Sequence, residues 1–420
     1  MYHRYRLKNN SQAIFAPIPN AKTVTVLVMV KVGSRFEAEK LAGVAHFLEH
    51  MLFKGNKKYP TTHDLSATLD AVGADFNAFT WKEHTGYYVK LASEHLPLAI
   101  DVVSQMLLTS KLEQKEMNKE REVIVEEMHL YRDNPSRHIH DLLYQEMFSN
   151  SPLGRDTTGT AETVRRMKRE EMVKFWKTHY RGKNVVVAVA GGFELEEVEK
   201  LVSKSFSFDG GIVKGEFVKH ARKQQQPRVR VEYRDTGQVQ LALGFPAFSY
   251  NDPRRYALSL LSTIMGGNMS SRLFIKIRER QGLCYSIWST TASFIDTGSF
   301  EIIAGLSKDR IEEAIRRIRA VVDEIGKNGV SERELRQAKE YSQGKLLLKL
   351  EDTAEIAHWF AEEALFQNEI ETPDQLMERL RKVTREEIKK TAQTVLRWPK
   401  VTLALIGPFQ DTGQFRKLLL

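Results

Sequence analysis

The chain of 420 residues contains one cysteine, Cys284. A single cysteine excludes an internal disulfide framework, and its place between Leu283 and Tyr285 favours a packed thiol over a nucleophile. The longest apolar run, Val24–Val30 with one threonine, has the length of a strand and is too short to cross a bilayer. The charged start of the chain is not followed by the apolar run of a signal peptide. We therefore expect a cytoplasmic protein with no membrane segment.

The sequence also lacks a block of charge of one sign. Its formal net charge of +9 is spread over both halves. The basic run Arg165–Arg169 lies in a helical pattern with acidic residues close by, which is typical of a solvated helix face. We therefore expect no nucleic-acid partner. The glycine pair Gly266–Gly267 is not followed by Gly-Lys-Ser/Thr, which argues against a phosphate-binding loop.

What the sequence does contain is a compact set of metal ligands, His46-x-x-Glu49-His50, within the segment Gly43–Phe53. Each helical residue turns by about 100°, so that His46 and His50 share a face with Glu49 beside them. Two imidazoles can bind one metal ion, and the carboxylate can take a proton from water that the metal activates. This order of residues is the inverzincin signature. A helix that carries two histidines by chance remains the alternative until a third ligand is found.

A candidate for the third ligand lies on the helix predicted from Glu113 to about Tyr131. Glu120 and Glu127 interrupt its apolar face, whereas Glu122 and Glu126 point the opposite way. An unpaired carboxylate is costly to bury, and a zinc ion held by two histidines needs another ligand. The face count therefore selects Glu127 over its neighbour. The alternative is a helix rolled so that both acids reach solvent.

Two predicted strands, Gly73–Trp81 and Gly86–Leu91, lie between these helices. An edge strand beside a peptidase site can bind an extended peptide as an added strand. An ordinary hairpin is the alternative, and the strand pattern alone favours it slightly.

The second half of the chain repeats the first. Arg169-Glu170-Glu171 recurs as Arg385-Glu386-Glu387, and Ala190–Phe193 recurs at the same offset as Ile406–Phe409. The Gly86 strand also resembles the segment that begins at Gly298. Internal duplication predicts two domains of one fold. We place them at residues 1–210 and 228–420, with a polar linker at 211–227.

The repeat does not copy the metal motif. The helix predicted at Pro253–Met265 has no histidine, and Gln343 stands at the position that the repeat makes equivalent to Glu127. The second half has its own cluster instead, in which Arg278 and Tyr285 follow the glycine pair. A buried salt bridge with a core tyrosine is the plain alternative for that cluster.

Together these motifs resemble the pitrilysin/insulinase family of zinc peptidases. The similarity is strongest to its half-size branch, which includes the mitochondrial processing peptidase subunits and bacterial homologues, and it runs nearly end to end. The segments that carry the resemblance are Gly33–Arg35, His46–Gly55, Asn77–Thr80, Glu120–Glu127, Pro152–Arg155 and Met269–Phe274.

The resemblance implies roles for individual residues. His46, His50 and Glu127 would bind Zn²⁺, Glu49 would be the general base, and Glu120 would orient the ligands. A second set would contact the substrate. It comprises the strand Asn77, Ala78, Phe79 and Thr80, which would pair with the peptide backbone, and Arg278 and Tyr285, which would lie near the scissile carbonyl.

The resemblance also implies a fold and a function. Each domain would be α+β, with helices packed on a mixed sheet, and two chains would close around a chamber. We expect a zinc metalloendopeptidase acting on short or unfolded peptides. We also expect a homodimer in which Arg278 and Tyr285 of one chain complete the zinc site of the other. A non-catalytic scaffold or partner subunit of the same family is the alternative.

Overall fold

The structure, a computed structural model, describes residues 2–211, 217–221 and 224–420. Parts of the predicted linker, residues 212–216 and 222–223, lie outside the described residues. The chain divides into two compact units. The first is Met1–His129, Arg155–Val218 and Leu347–Glu371, and the second is Leu130–Gly154, Lys219–Leu346 and Thr372–Leu420.

Each unit contains a mixed sheet. Strands of the first are β1 (His3–Arg6), β2 (Gln12–Pro17), β3 (Thr23–Val30), β4 (Asp75–Thr80), β5 (Thr85–Ala92) and β6 (Val185–Gly191). Strands of the second are β7 (Arg228–Tyr233), β8 (Gln238–Ala247), β9 (Cys284–Ser293), β10 (Gly298–Ser307) and β11 (Thr402–Gly407). Their orders are β1-β2-β6-β3-β5-β4 and β7-β11-β8-β10-β9, which places β4 and β9 at sheet edges.

Helices form the rest of both units. The first half of the chain forms α1 (Val44–Leu52), α2 (Thr62–Asp70), α3 (Leu96–Thr109), α4 (Gln114–Asp133), α5 (Pro135–Met147), α6 (Ala161–Arg166), α7 (Arg169–His179) and α8 (Leu195–Ser205). The second half forms α9 (Arg255–Gly266), α10 (Ile311–Asn328), α11 (Glu332–Lys349), α12 (Thr353–Phe366), α13 (Pro373–Lys382), α14 (Arg385–Val395) and α15 (Gly413–Leu419). No helix in the described ranges is long and apolar enough to cross a membrane.

The two sheets repeat one topology. The parallel pair β2–β6 joins Gln12 to Val186, and the parallel pair β7–β11 joins Arg228 to Thr402, so both strands recur at the offset that the sequence repeat shows. The remaining strands follow in the same order with antiparallel pairing. The predicted α+β fold of two homologous domains is confirmed.

One predicted equivalence within the repeat is out of register. The similarity of the segments at Gly86 and Gly298 would match Tyr87 with Ser299. The pairing across the two sheets instead makes Ile302 the counterpart of Tyr87. Short apolar strands look alike after small shifts, so the pairing of whole sheets is needed to fix the register.

The predicted domain boundaries are continuous in sequence, and the structure differs from them because two helices are exchanged. Helix α5 of the first half belongs to the second unit, and α12 of the second half belongs to the first. Leu142 of α5 joins a core with Ala242 and Ile303, and Phe360 of α12 joins a core with Ile14. Each helix covers the free face of a sheet, which buries apolar side chains on both.

The helical pattern around the basic run Arg165–Arg169 belongs to two helices, α6 and α7. The chain is extended at Met167 and Lys168 between them. The Met167 side chain is buried in the core, and the Arg121 guanidinium donates to the carbonyls of Arg165 and Met167. The guanidinium satisfies carbonyls at the end of α6 that lack partners within the helix. A run of helix-forming residues in the sequence does not reveal such a break.

Burial of a neutral histidine makes the first unit sensitive to acid. Burial and then the His358 ring lower the pKa of His84 to about 3, and the ring packs edge-on to Phe79 and Phe366. In the unfolded chain the His84 ring takes up a proton near pH 6.5. The stability that burial of the neutral ring contributes is therefore fully present above pH 6.5 and is lost as the pH falls towards 3.

We therefore expect the free energy of unfolding to depend less on pH in His84→Leu than in the parent chain. Between pH 6 and pH 4 the parent should lose about 1.4 kcal/mol per pH unit more than the variant. Urea unfolding at several pH values measures the slope. His63→Gln, a change at an exposed position on α2, is the control and should keep the parent slope. Equal slopes in all three proteins would show that this pH dependence of the free energy of unfolding does not come from His84.

Candidate metal centre

Helix α1 carries the H-x-x-E-H motif and begins at a position that requires glycine. Gly43 precedes the helix with φ of 92°, and a Cβ there would lie 2.4 Å from the Thr158 carbonyl oxygen. The helix buries its apolar side chains in the core of the first unit. His46 and His50 are one turn apart, with their ring centroids separated by 4.5 Å.

Helix α4 supplies the third group. Glu120 is buried and Glu127 is half-buried, whereas Glu122 and Glu126 are exposed, which is the orientation that the face count predicts. Among the described residues, one group of three side chains could hold a metal ion, and it consists of His46, His50 and Glu127. Their ligand atoms all lie within 4.8 Å of one another.

The spacing of these atoms fits zinc. The Nε2 atoms of the two histidines are 3.3 Å apart, and Glu127 Oε2 lies 3.6 Å from His46 Nε2 and 3.4 Å from His50 Nε2. A tetrahedral zinc ion about 2.0–2.1 Å from each ligand atom would hold neighbouring ligands about 3.3 Å apart. Two imidazoles and a carboxylate are also a donor set that zinc accepts in catalytic sites.

The two histidines have opposite electrostatic environments. Burial, followed by the charge of His50, lowers the pKa of His46 to about 4. Burial also disfavours the charge on His50, but hydrogen bonds to Glu120 and Glu127 outweigh it and raise the pKa to about 9. The Nδ1 atom of His46 has no hydrogen-bond partner among the described residues. Burial against the core, rather than a hydrogen bond at Nδ1, therefore holds that side of the ring.

Glu120 fixes the orientation of the other ring. His50 Nδ1 donates to its Oε1 at 2.9 Å, and Lys54 Nζ lies 2.6 Å from its Oε2. Although burial favours the protonated acid, these two donors hold the pKa of Glu120 below its ordinary value. The carboxylate keeps the proton of His50 on Nδ1 and directs Nε2 towards the other ligands. No role was predicted for Lys54, which follows His50 by four residues, although its contact could have been found from that spacing.

We expect Glu120→Gln to weaken zinc binding by about 10- to 100-fold, since an amide holds the ring less firmly than a carboxylate. Competition with a zinc-binding dye measures the affinity. Glu122→Gln, a change at an exposed position on the same helix, is the matched control and should bind zinc as the parent does. An unchanged affinity in Glu120→Gln would show that the carboxylate does not support the site.

Glu49 lies against the edge strand β4. Thr80, the last residue of that strand, donates a hydrogen bond from its hydroxyl to Glu49 Oε2. Burial raises the pKa of Glu49, and the Thr80 hydrogen bond opposes this rise. Such a carboxylate is a better proton acceptor than an exposed one. The resemblance assigned Thr80 to substrate binding alone, so its contact with Glu49 was missed.

The other residues of the predicted peptide-binding strand lie on β4 as well. Asn77 is exposed, while Ala78 and Phe79 are half-buried. Within the described residues, strand β4 pairs with β5 alone, and its outer edge is not paired with another strand of the sheet. An edge strand of this kind can accept an extended peptide.

Arg278 and Tyr285 belong to the second unit and lie beside each other. The Arg278 guanidinium is 5.7 Å from the Tyr285 ring centroid and 4.6 Å from that of Phe274. Tyr285 is 76% exposed. The core tyrosine of the plain alternative is therefore wrong.

The second half has no metal site at the position equivalent to the first. By the offset of the repeat, Ser262 and Gly266 of α9 stand in place of the two histidines. The Ser289 hydroxyl donates to the Ser262 carbonyl at 2.9 Å, and a Cβ on Gly266 would lie 2.4 Å from the Ser289 nitrogen. Close packing of α9 on β9 thus fills the space that the ligands occupy in the first half.

Comparison with known proteins gives two matches to family descriptions. Residues 13–161 match "Insulinase (Peptidase family M16)", and residues 166–341 match "Peptidase M16 inactive domain". The second description agrees with the absence of metal ligands at the equivalent positions of α9.

Similar proteins support the same assignment. An uncharacterised zinc protease of Streptomyces coelicolor is 34% identical over 97% of this chain and 90% of its own length. One of Bacillus subtilis is 32% identical over 97% of this chain and 98% of its own.

Solved structures show the same fold. A Helicobacter pylori protease has a TM-score of 0.91 at 22% identity, covering 97% of this chain and 99% of its own. A chain of complex III from Candida albicans has a TM-score of 0.83 at 16% identity, covering 99% of both chains. With 34% identity over nearly the whole chain, the protein belongs to the insulinase family of peptidases, family M16.

Proposed function

We propose that this chain is a zinc metalloendopeptidase that hydrolyses peptide bonds in short or unfolded peptides. The observation that carries the proposal is the triangle of ligand atoms from His46, His50 and Glu127, with Glu49 on the same helix as the two histidines. The naming of its relatives as zinc proteases supports the choice of metal.

The chain supplies the groups that such a reaction needs. His46, His50 and Glu127 would hold the zinc ion, which would supply a Lewis acid for the activation of water and the polarisation of the substrate carbonyl. Glu49 accepts the proton of the attacking water and passes it to the leaving amine. Thr80 holds one oxygen of Glu49, which fixes the carboxylate for both transfers. The backbone of β4 pairs with the extended peptide and aligns it with Glu49.

Two further residues stabilise the negative charge that develops on the carbonyl oxygen. Arg278 or Tyr285 donates a hydrogen bond to it. We propose that the chain forms a homodimer in which this pair comes from the partner. Exposure of the Tyr285 side chain leaves it available for that contact.

A mixed dimer tests the shared site. One chain carries Glu49→Gln, and the other carries Arg278→Ala with Tyr285→Phe. If sites form in trans, one site of the mixed dimer is intact, and up to half of the parent activity should return. A mixed dimer of confirmed composition without activity would refute the shared site.

A non-catalytic subunit is the alternative function. The similarity to a complex III chain and the name of the second matched domain bring it into consideration. Against it, all three ligand residues and the base are present in the first unit. A subunit of that kind has no need of a complete zinc site.

Digestion of a peptide library decides between the two functions. We expect the purified protein to cut unfolded peptides of a few tens of residues, to lose this activity to a chelator, and to recover it with Zn²⁺. Mass spectrometry of the products gives the cleavage sites. A stably folded protein is the control and should survive. A protein that binds no zinc and cuts no peptide would favour the non-catalytic function.

A further inference from the structure

Four ionisable side chains are buried next to the start of α1 and the end of β4, and they take no part in the proposed chemistry. They are Arg35, Glu37, Lys82 and Glu83, which are between 1% and 4% exposed. Two lie in the turn Ser34–Glu37 that follows β3, and two lie at the tip of the β4–β5 hairpin. Buried charges are costly unless they are paired, and apolar side chains of the same size often serve stability as well. Their presence indicates that this region requires a specific geometry.

Arg35 joins the turn to the tip of the hairpin. Its guanidinium forms an ion pair with the Glu83 carboxylate, and its backbone N–H donates to the Lys82 carbonyl at 2.8 Å. A Cβ on Gly33 would lie 2.1 Å from the Trp81 carbonyl oxygen, so the two backbones are in direct contact. The tip held in this way directly follows Thr80, the residue that donates to Glu49.

Glu37 joins the same turn to the start of α1. Its two carboxylate oxygens accept the backbone N–H groups of Gly43 and Ala45, both at 2.8 Å. No side chain of the preceding residue caps this helix, so Glu37 satisfies amides that the helix itself leaves unpaired. Burial raises the pKa of Glu37 to about 8, while the two amides and the cations Lys82 and Arg155 oppose that rise.

Arg35 and Glu37 of the turn thus contact the two segments that carry the donor and the acceptor of one hydrogen bond, from Thr80 to Glu49. Glu37 holds the helix that carries Glu49, and Arg35 holds the hairpin that carries Thr80. We propose that the turn Ser34–Glu37 is a positioning clamp that sets the Glu49–Thr80 contact. The inference rests on the proposed function, because Glu49 is the base in that function. Arg35 and Glu37 are positioning residues that act through Thr80 and α1.

Hydrogen exchange of the metal-free protein tests the clamp without reference to activity. Arg35→Gln should accelerate exchange about tenfold or more in the segment 80–86, and Glu37→Gln should do so in the segment 43–48. Arg35→Lys keeps the charge but not the forked geometry and should act as Arg35→Gln does. Arg165→Gln, which breaks an exposed ion pair with Glu122, is the control. Unchanged exchange in all clamp variants would overturn the proposal.

A double-mutant cycle tests whether Arg35 acts through Thr80. Thr80→Val and Arg35→Lys should each lower kcat about tenfold, and the double variant should be no slower than Thr80→Val. The zinc content should stay at the parent value, because neither residue is a ligand. Losses that multiply in the double variant would overturn the clamp and leave the proposed function intact. A parent protein without zinc-dependent cleavage would overturn the function, and hydrogen exchange would still decide the clamp.

Discussion

Glu49→Gln is expected to bind zinc as the parent does and to lose nearly all peptide cleavage. The amide keeps the size of the side chain and removes no ligand, but it cannot accept the proton of the attacking water. General acid–base catalysis contributes about 10²- to 10⁴-fold, and we expect kcat to fall by that factor. Metal analysis and steady-state kinetics on the same sample measure both properties.

The control for this prediction separates loss of the base from loss of the site. Glu126→Gln changes a carboxylate in the same unit that is exposed, and it should leave kcat unchanged. Near-parent activity in Glu49→Gln would show that another group takes the proton. Loss of zinc in Glu49→Gln would show that the side chain supports the ligands rather than the reaction.

The second large effect is the difference between two neighbouring residues of α4. Glu127→Gln should lose most of its zinc, because an amide oxygen is a poor replacement for a carboxylate ligand. Glu126→Gln should retain it, because surface substitutions away from special features usually have small effects. Zinc content after dialysis at equal protein concentration compares the two variants.

One result would contradict this prediction. Equal zinc content in the Glu127 and Glu126 variants would contradict the geometry of the ligand triangle. A melting temperature like that of the parent, measured for both variants without metal, would show that neither change acts through unfolding of α4.

The grouping of the candidate metal ligands could be predicted because its signals are local. His46 and His50 share a face through helical periodicity alone, and the apolar stripe of α4 selects Glu127 over Glu126. The duplication was visible in short segments as well, since two of the three repeated motifs keep one constant offset along the chain. The duplication also indicated where the metal would be absent.

The features of the fold and the site that could not be predicted depend on contacts between residues distant in sequence. The exchange of α5 and α12 could not be predicted because both helices have ordinary amphipathic patterns. Lys82 and Glu83 look like a solvated turn in sequence, although the structure buries both. Only the fold shows that their partners are in the turn after β3. Long-range pairing of charges has no periodicity from which it can be inferred.

Titration of the metal-free protein with zinc is the most direct test of the central claim. Peptide cleavage is followed as Zn²⁺ is added to chelator-treated protein of known concentration. We predict that activity rises linearly and saturates at one zinc ion per chain, since one group of ligands is present among the described residues. Full activity before any zinc is added, or no activity at several equivalents, would contradict the account.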